Sequence, residues 1–204
     1  MKVVNLQQKR KSLTAVVFDD GSELLVDSEI ALIENITIGS EIENIEKIIY
    51  KSDFKRAKSR ALWYLSRGDL SEKSLFEKLV RGGFSETASR DAVERMKELG
   101  LVNDYMYAKR LADYLSNTGI SNREIQFKLT QKGIDRDIVR ELSKSENDEI
   151  DKIKYLIEHK YKNKLDGESN IQKVFAALVR KGFSYSDVKA ALRDYSEKLR
   201  YSED

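Results

Sequence analysis

A ten-residue segment recurs three times in this chain of 204 residues, and no other feature limits the possible folds so strongly. The copies are LFEKLVRGGF (Leu75–Phe84), IQFKLTQKGI (Ile125–Ile134) and VFAALVRKGF (Val174–Phe183), and they align without a gap. They begin 50 and 49 residues apart, a spacing in the range typical of repeat proteins. Because each repeat of such a protein stacks only on its neighbours, we expect an elongated, curved array.

Each copy carries the signals of a helix that ends at a glycine. Its apolar residues stand four positions apart, as on one face of an α-helix. Glycine tolerates the left-handed conformation that follows a helix, and the apolar residue after it can pack back on the last turn, as in a Schellman motif. A serine or aspartate then opens another helix. The recurrent glycines are Gly83, Gly133 and Gly182, and the residues that open the next helix are Ser85, Asp135 and Ser184.

A further helix precedes each copy, so that every unit has three. The expected preceding helices are Ala57–Arg67, Tyr105–Ser116 and Glu149–Lys160. In the first unit, the pattern places Ala61, Leu62 and Leu65 on one buried face. The chain contains no proline, which agrees with long uninterrupted helices.

The first fifty residues follow another pattern. Ser12–Asp27 contains two aliphatic runs around an Asp-Gly step, a strong signal for a β-hairpin. Val3–Leu6 is a candidate third strand, because an isolated hairpin is only marginally stable. Ser28–Ile33 is a candidate short helix, Ile36–Ile42 a short strand or turn, and Glu43–Lys58 a charged helix.

The predicted fold is therefore mainly α, with three tandem three-helix repeats after a small N-terminal module that contains a β-hairpin. The expected division is an N-terminal module at 1–52 and repeats at 53–104, 105–145 and 146–204. Charge supports this division, since residues 1–50 hold 5 basic and 9 acidic residues whereas the whole chain carries a net charge of +2. An acidic module thus precedes a mildly basic body.

Composition excludes several kinds of site. The chain has no cysteine, which rules out disulfides, thiolate zinc sites and cysteine nucleophiles. It has one histidine, His159, so a two-histidine relay is impossible. No apolar stretch approaches the roughly 18 residues of a membrane span, and the N-terminus lacks the apolar region of a signal peptide. We expect a soluble, cytoplasmic protein without catalytic residues, cofactor or metal.

Some residues that resemble parts of a site have simpler interpretations. His159 could act as a pH switch, but a solvated position near a helix end is favoured. Asp19 and Asp20 could mimic a pair of Mg²⁺ ligands, but a turn in which Asp19 bonds the backbone two residues on explains them better. Asp135 fits an N-cap. Gly83 lacks the downstream Lys-Ser/Thr of a phosphate-binding loop.

Basic residues precede the recurrent glycine in all three units, and two interpretations of them stay open. Cations at a helix C-terminus complement the helix dipole; a charge repeated at one place in each unit could also form a binding row. Tyrosines among them could stack on bases or pack at the edge of the core; these are Tyr64, Tyr107, Tyr114, Tyr155 and Tyr161. The candidate residues for binding a partner or DNA are Arg60, Arg67, Lys78, Arg81, Lys128, Lys132, Arg180 and Lys181.

Two stretches resemble the RecX family. ALWYLSRGDLSEKSLFEKLVRGGF (Ala61–Phe84) is similar to the opening of that family's first repeat, and LGLVNDYMYAKRLADY (Leu99–Tyr114) is similar to its junction motif. Val102 and Asn103 depart conservatively from the junction pattern. The likeness extends over about residues 55–199.

The resemblance implies a bacterial regulator of the RecA recombinase that acts without chemistry of its own. Family members bind the RecA filament on single-stranded DNA along its groove and generally inhibit ATP hydrolysis and strand exchange, which affects recombination, DNA repair and the SOS response. The implied partners are therefore RecA and its filament, with direct DNA binding in some members, and we expect a monomer. The alternatives are a non-specific nucleic-acid-binding helical repeat protein and a general protein–protein adaptor.

Overall fold

The structure, a computed structural model, describes residues 1–10, 12–142, 149–165 and 167–201. The chain divides into two compact units, Met1–Asn103 (unit 1) and Asp104–Asp204 (unit 2). The predicted mainly α fold class is confirmed, with one small sheet at the N-terminus. The strands are β1 (Val3–Arg10), β2 (Leu13–Phe18) and β3 (Glu23–Asp27), and the helices are α1 (Ser28–Ile33), α2 (Ile45–Leu65), α3 (Glu72–Arg81), α4 (Glu86–Glu98), α5 (Asp104–Asn117), α6 (Asn122–Gln131), α7 (Arg136–Leu142), α8 (Glu149–Leu156), α9 (Glu168–Arg180) and α10 (Tyr185–Tyr201).

The N-terminal sheet is antiparallel, in the order β1-β2-β3, and the predicted hairpin joins β2 to β3. Its turn is held by Asp20, whose Oδ1 accepts from the Ser22 backbone N–H at 2.9 Å; the expectation named Asp19, one residue earlier. Strand β1 runs four residues beyond the predicted Val3–Leu6 because it pairs along β2 as far as Arg10. The segment expected as a strand or turn forms a turn, in which the Ser40 N–H donates to the Thr37 carbonyl.

Helix α2 corrects two expectations. The sequence predicted separate helices over Glu43–Lys58 and Ala57–Arg67, but Ile45–Leu65 is one continuous helix of 21 residues, because no glycine or proline interrupts it. The helix crosses the predicted boundary at 52/53; the four-part division itself stays a prediction. Leu62 was expected on the buried face, which was wrong: it is 46% exposed, since one residue turns about 100° away from buried Ala61.

The repeat segments end as predicted. In unit 1 the Gly83 N–H donates to the Val80 carbonyl at 3.0 Å and the Phe84 N–H to the Leu79 carbonyl at 3.3 Å. This bond pair defines a Schellman motif, and Gly133 and Ile134 make the matching pair in α6. All three recurrent glycines have positive φ, between 79° and 90°. The three leucines that precede these turns are fully buried: Leu79, Leu129 and Leu178.

The helices following the turns begin at polar residues, as predicted. The Ser85 hydroxyl accepts from the Ala88 N–H, and Ser184 accepts from the Asp187 N–H at 3.1 Å. The third repeat departs from the expected Glu149–Lys160 helix. Its α-helical part ends at Leu156, and Ile157–Tyr161 continues as a π-helical turn, a feature frequent at functional sites.

Candidate basic–aromatic surface

Two arginines lie over one tryptophan on helix α2. The guanidinium carbon of Arg67 is 3.9 Å from the centroid of the Trp63 ring, and that of Arg60 is 5.2 Å from it. Both distances fall within the range of cation–π contacts. Arg60 shares a helix face with Trp63, three residues later, whereas Arg67 lies in the turn after α2, where its N–H donates to the Tyr64 carbonyl at 3.1 Å. Trp63 is nevertheless 42% exposed, so the ring and its two cations are open to a partner.

Helix α3 brings a third cation to this surface. The Lys78 ammonium is 5.3 Å from the centroid of the Tyr64 ring, which meets Trp63 edge-on at 5.2 Å. Trp63, Tyr64, Arg67 and Lys78 line one shallow cleft. We call Arg60, Trp63, Tyr64, Arg67 and Lys78 the basic–aromatic surface of unit 1.

A second cleft adjoins Trp63, and two more cations line it, one from the sheet and one from α2. Arg10 of β1 and Arg56 of α2 line it together with Arg60 and Trp63. The Arg56 guanidinium lies 5.5 Å from the Phe84 ring and 3.6 Å from the Asp53 carboxylate. Cations from the sheet and from α2 thus meet at one tryptophan.

The cations of the basic–aromatic surface keep their charge available. Within the residues that the structure describes, Arg60, Arg67 and Lys78 form no ion pair with a carboxylate. Phosphates are the anions that arginine forks recognise best, and an exposed aromatic ring offers a base a face on which to stack. This surface therefore has the groups needed to bind single-stranded nucleic acid or an acidic protein surface.

The other predicted site residues are not part of the basic–aromatic surface. Arg81, Lys132 and Arg180 are exposed at or just beyond the ends of their helices. Lys128 pairs with Glu124 at 3.3 Å, one helical turn earlier. Neither a shared row nor a role in binding is tested for them, and both stay predictions.

Lys181 serves the fold of unit 2. Its ammonium donates to the Thr118 carbonyl oxygen at 3.0 Å, close to the end of α5, and its own carbonyl accepts from the Ser121 N–H at 3.0 Å. Burial lowers the pKa of the Lys181 ammonium, and the like charge of Lys160 lowers it further. The structure thus gives this predicted binding residue a second role, in joining the last repeat to the one before.

The tyrosines among the basic residues divide between core and surface. Tyr161 is buried, and Tyr64 and Tyr107 pack against the cores of their repeats. Tyr114 and Tyr155 are exposed. His159 is also exposed, as favoured from sequence, and lies at the π-helical turn.

Sequence reasoning missed Trp63, Arg10 and Arg56. A partial signal for Trp63 was present, since an arginine three residues before a tryptophan places a cation on its helix face, but Arg67 reaches the ring from the turn after α2. Nothing in the sequence near Arg10 indicates its position, because the sheet and α2 meet there only through the fold. Within the described part of the chain, no group of three or more histidine, cysteine or acidic side chains could hold a metal ion. No helix in that part is long and apolar enough to cross a membrane.

Comparison with known proteins identifies the family. Residues 57–96 match the model of the first three-helix domain of RecX, and residues 147–192 match that of the third. Regulatory protein RecX of Caldanaerobacter subterraneus subsp. tengcongensis is 32% identical over 94% of this chain and 98% of its own. The protein of the same name from Clostridioides difficile is 31% identical, over 91% of each chain.

Solved structures show the same fold. A crystal structure of regulatory protein RecX superposes with a TM-score of 0.61 at 24% identity, over 94% of this chain and 98% of that one. RecX from Lactobacillus salivarius gives a TM-score of 0.58 at 25% identity, over 70% of this chain and 96% of its own. The repeats and the similarity along nearly the whole sequence lead to one conclusion: this chain belongs to the RecX family of regulatory proteins.

Proposed function

We propose that this protein regulates a RecA recombinase in the cytoplasm by inhibiting it. It does so by binding the groove of the filament that RecA forms on single-stranded DNA. The basic–aromatic surface of unit 1 is the observation that carries the proposal. It supplies an exposed tryptophan and three cations that have no carboxylate partner in the described part of the chain. Family membership supports a regulatory role without catalysis.

The mechanism would be physical competition. A filament groove presents DNA phosphates and protein surface together, so a ligand with cations and an aromatic ring can engage both. Occupying the groove would block the positions that a second DNA strand uses, which would slow strand exchange. It would also favour disassembly of the filament, which would lower ATP hydrolysis. Such inhibition would affect homologous recombination, DNA repair and the SOS response.

The test is ATP hydrolysis by the RecA of the same organism on single-stranded DNA, titrated with this protein. We expect the rate to fall as the protein approaches the concentration of RecA. An unchanged rate at equimolar protein would contradict the proposal.

A second candidate function is direct, non-specific binding of nucleic acid by the same cations. The ring–cation pairs at Trp63 favour it, because single-strand binding proteins combine these groups. Salt separates the two functions. Pure phosphate contact weakens with a log–log slope of about 0.7 per neutralised phosphate on a single strand, whereas a mixed protein interface should depend less steeply on ionic strength. A steep slope without any effect on RecA would favour this second function.

A further inference from the structure

Unit 2 contains a cleft that none of the features above explains. Its volume is 620 Å³, and it lies between the C-terminal end of α5, at residues 116–119, and the wall formed by residues 151–160. That wall is α8 together with the π-helical turn that follows it. The cleft lies wholly within unit 2.

A flat ring pair forms one wall of the cleft. The centroids of the Tyr155 and His159 rings are 4.2 Å apart and the ring planes differ by 23°. His159 Nδ1 lies 3.0 Å from the Tyr155 carbonyl oxygen, which fixes the orientation of the imidazole. Tyr155 is 62% exposed although stacked, so the pair presents an open aromatic face. A planar ligand can stack on such a face.

Two ammonium groups stand at the same cleft. Lys160 lines it, and the Lys181 ammonium donates at 3.0 Å to the carbonyl oxygen of Thr118, a residue that also lines it. Lys160 and Lys181 make no ion pair with a carboxylate within the described residues. Burial, and after it the like charge of Lys160, lowers the pKa of Lys181, as expected where two ammonium groups serve one cleft. An anion between them would relieve the repulsion between the two charges.

The remaining polar groups of the cleft are compatible with an anion. An ammonium has three hydrogen-bond donors, so Lys181 keeps two donors after it bonds the Thr118 carbonyl oxygen. Its charge also complements the negative C-terminal end of the α5 dipole. The charge of Lys152 on the same wall is already paired, because its ammonium lies 3.8 Å from the Glu149 carboxylate and donates to Asn122 Oδ1 at 2.6 Å. Among the described residues that line the cleft, Asp151 is the only carboxylate.

We propose that this cleft binds a nucleotide, with the base on the Tyr155 ring and the phosphate between Lys160 and Lys181. The planar face and the paired cations fit the two parts of that ligand. The nucleotide can be free or part of a single strand, since both present a base and a phosphate. The proposal does not depend on RecA, because the cleft would bind a nucleotide whether or not the chain regulates a recombinase.

The single histidine of the chain makes the test direct. The imidazole signal of His159 is followed by NMR during titration of the full chain with dAMP, with deoxyadenosine and with deoxyribose 5-phosphate. We expect dAMP to shift the signal in a saturable manner and to bind at least 10-fold more tightly than either fragment. Tighter binding of a deoxyadenosine pentanucleotide than of dAMP would identify a strand as the source, and equal affinity a free nucleotide.

Matched variants locate the contacts. Tyr155→Ala should weaken dAMP binding at least 5-fold, and Tyr114→Ala, which removes a tyrosine that is 66% exposed and outside the cleft, should not. Lys160→Glu should abolish binding. Lys189→Glu, at an exposed position of α10 that does not line the cleft, should leave binding unchanged. No saturable shift with dAMP or the pentanucleotide would overturn the proposal. Equal binding of dAMP and deoxyribose 5-phosphate would also overturn it, as would equal effects of the two tyrosine variants.

Discussion

The two units contain related repeats, but their basic residues have different neighbours. In unit 1, Arg60 and Arg67 lie over an exposed indole ring and have no carboxylate partner within the described residues. In unit 2, Lys128 pairs with a glutamate one turn away and Lys181 caps a carbonyl group near the end of α5. A charge that recurs in sequence therefore does not keep one role. Its surroundings decide whether it is available to a partner or used within the fold.

The recurrent glycine also has different surroundings in the two units, and replacing it should give the largest change in the free energy of unfolding. Gly83 and Gly182 have φ values of 88° and 90°, but a Cβ on Gly83 would meet open space, whereas one on Gly182 would lie 2.4 Å from Ser121 Oγ. We expect Gly83→Ala to cost about 1–2 kcal/mol from backbone strain. Gly182→Ala should cost a further 1–3 kcal/mol from overpacking. Urea denaturation measures both, and equal losses would contradict the difference in packing.

Breaking an ion pair in unit 1 should give the next largest loss of stability. The Lys55 ammonium donates to Asp27 Oδ1 at 2.7 Å, and Asp27 is only 5% exposed. Lys55→Met leaves that carboxylate buried without its cation, which should cost about 3 kcal/mol. The control is Lys9→Met, whose partner Glu23 is well exposed and whose loss should cost less than about 1 kcal/mol. Similar losses in the two variants would show that the Lys55 pair is no more than a surface contact.

The pH dependence of this pair has a definite sign. Burial alone would lower the pKa of Lys55, but its hydrogen bonds to Asp27 and Glu29 outweigh burial and raise it. A raised folded pKa gives stability that is complete below the unfolded pKa of about 10.4 and is lost as the pH rises through the folded value. The difference in unfolding free energy between wild type and Lys55→Met should therefore shrink above about pH 10.4. A constant difference up to pH 12 would contradict the ion pair.

Replacing Lys181 should change stability less than replacing Lys55, and the pH dependence of its contribution should have the opposite sign. Lys181→Met removes the hydrogen bond to the Thr118 carbonyl and should cost about 1 kcal/mol at pH 7, while Lys189→Met on the exposed face of α10 should cost less. Because burial lowers the pKa of Lys181, its neutral form is favoured in the fold. The wild type should therefore gain stability as the pH approaches the unfolded pKa from below, and Lys181→Met should lack that gain. An identical pH profile for both would contradict the buried position.

The repeat architecture could be predicted because its signals are local. Serine N-caps, apolar residues four apart and a glycine after the last turn each determine structure within about ten residues, and Ser85 and Gly83 behave as expected. The continuity of α2 was missed because its residues carry a weak apolar pattern and no break. The π-helical turn at Ile157–Tyr161 has no signal in the sequence.

The candidate site was only partly predictable, since it depends on contacts between elements. The cations Arg60 and Arg67 could be chosen from sequence, but only the contact of Arg60 with Trp63 follows from helix spacing, since Arg67 reaches that ring from the turn after α2. Lys78 reaches Tyr64 only through the packing of α3 against α2. The role of Lys181 in the fold required the same kind of information, because Thr118 lies 63 residues away in sequence.

If the cations of the basic–aromatic surface carry the regulation, reversing two of them should remove inhibition, whereas an equal charge change elsewhere should not. Arg60→Glu with Arg67→Glu reverses the unit 1 pair, and Lys189→Glu with Arg193→Glu makes the same charge change at exposed positions of α10 in unit 2. Inhibition of RecA ATP hydrolysis on single-stranded DNA is titrated with each folded variant and with wild type. We expect half inhibition by the unit 1 variant to need at least 10-fold more protein than wild type, a loss of about 1.4 kcal/mol or more in binding free energy. The unit 2 variant should stay within 2-fold of wild type, a loss of less than about 0.4 kcal/mol. Equal losses in both variants, or wild-type inhibition by the unit 1 variant, would contradict the claim.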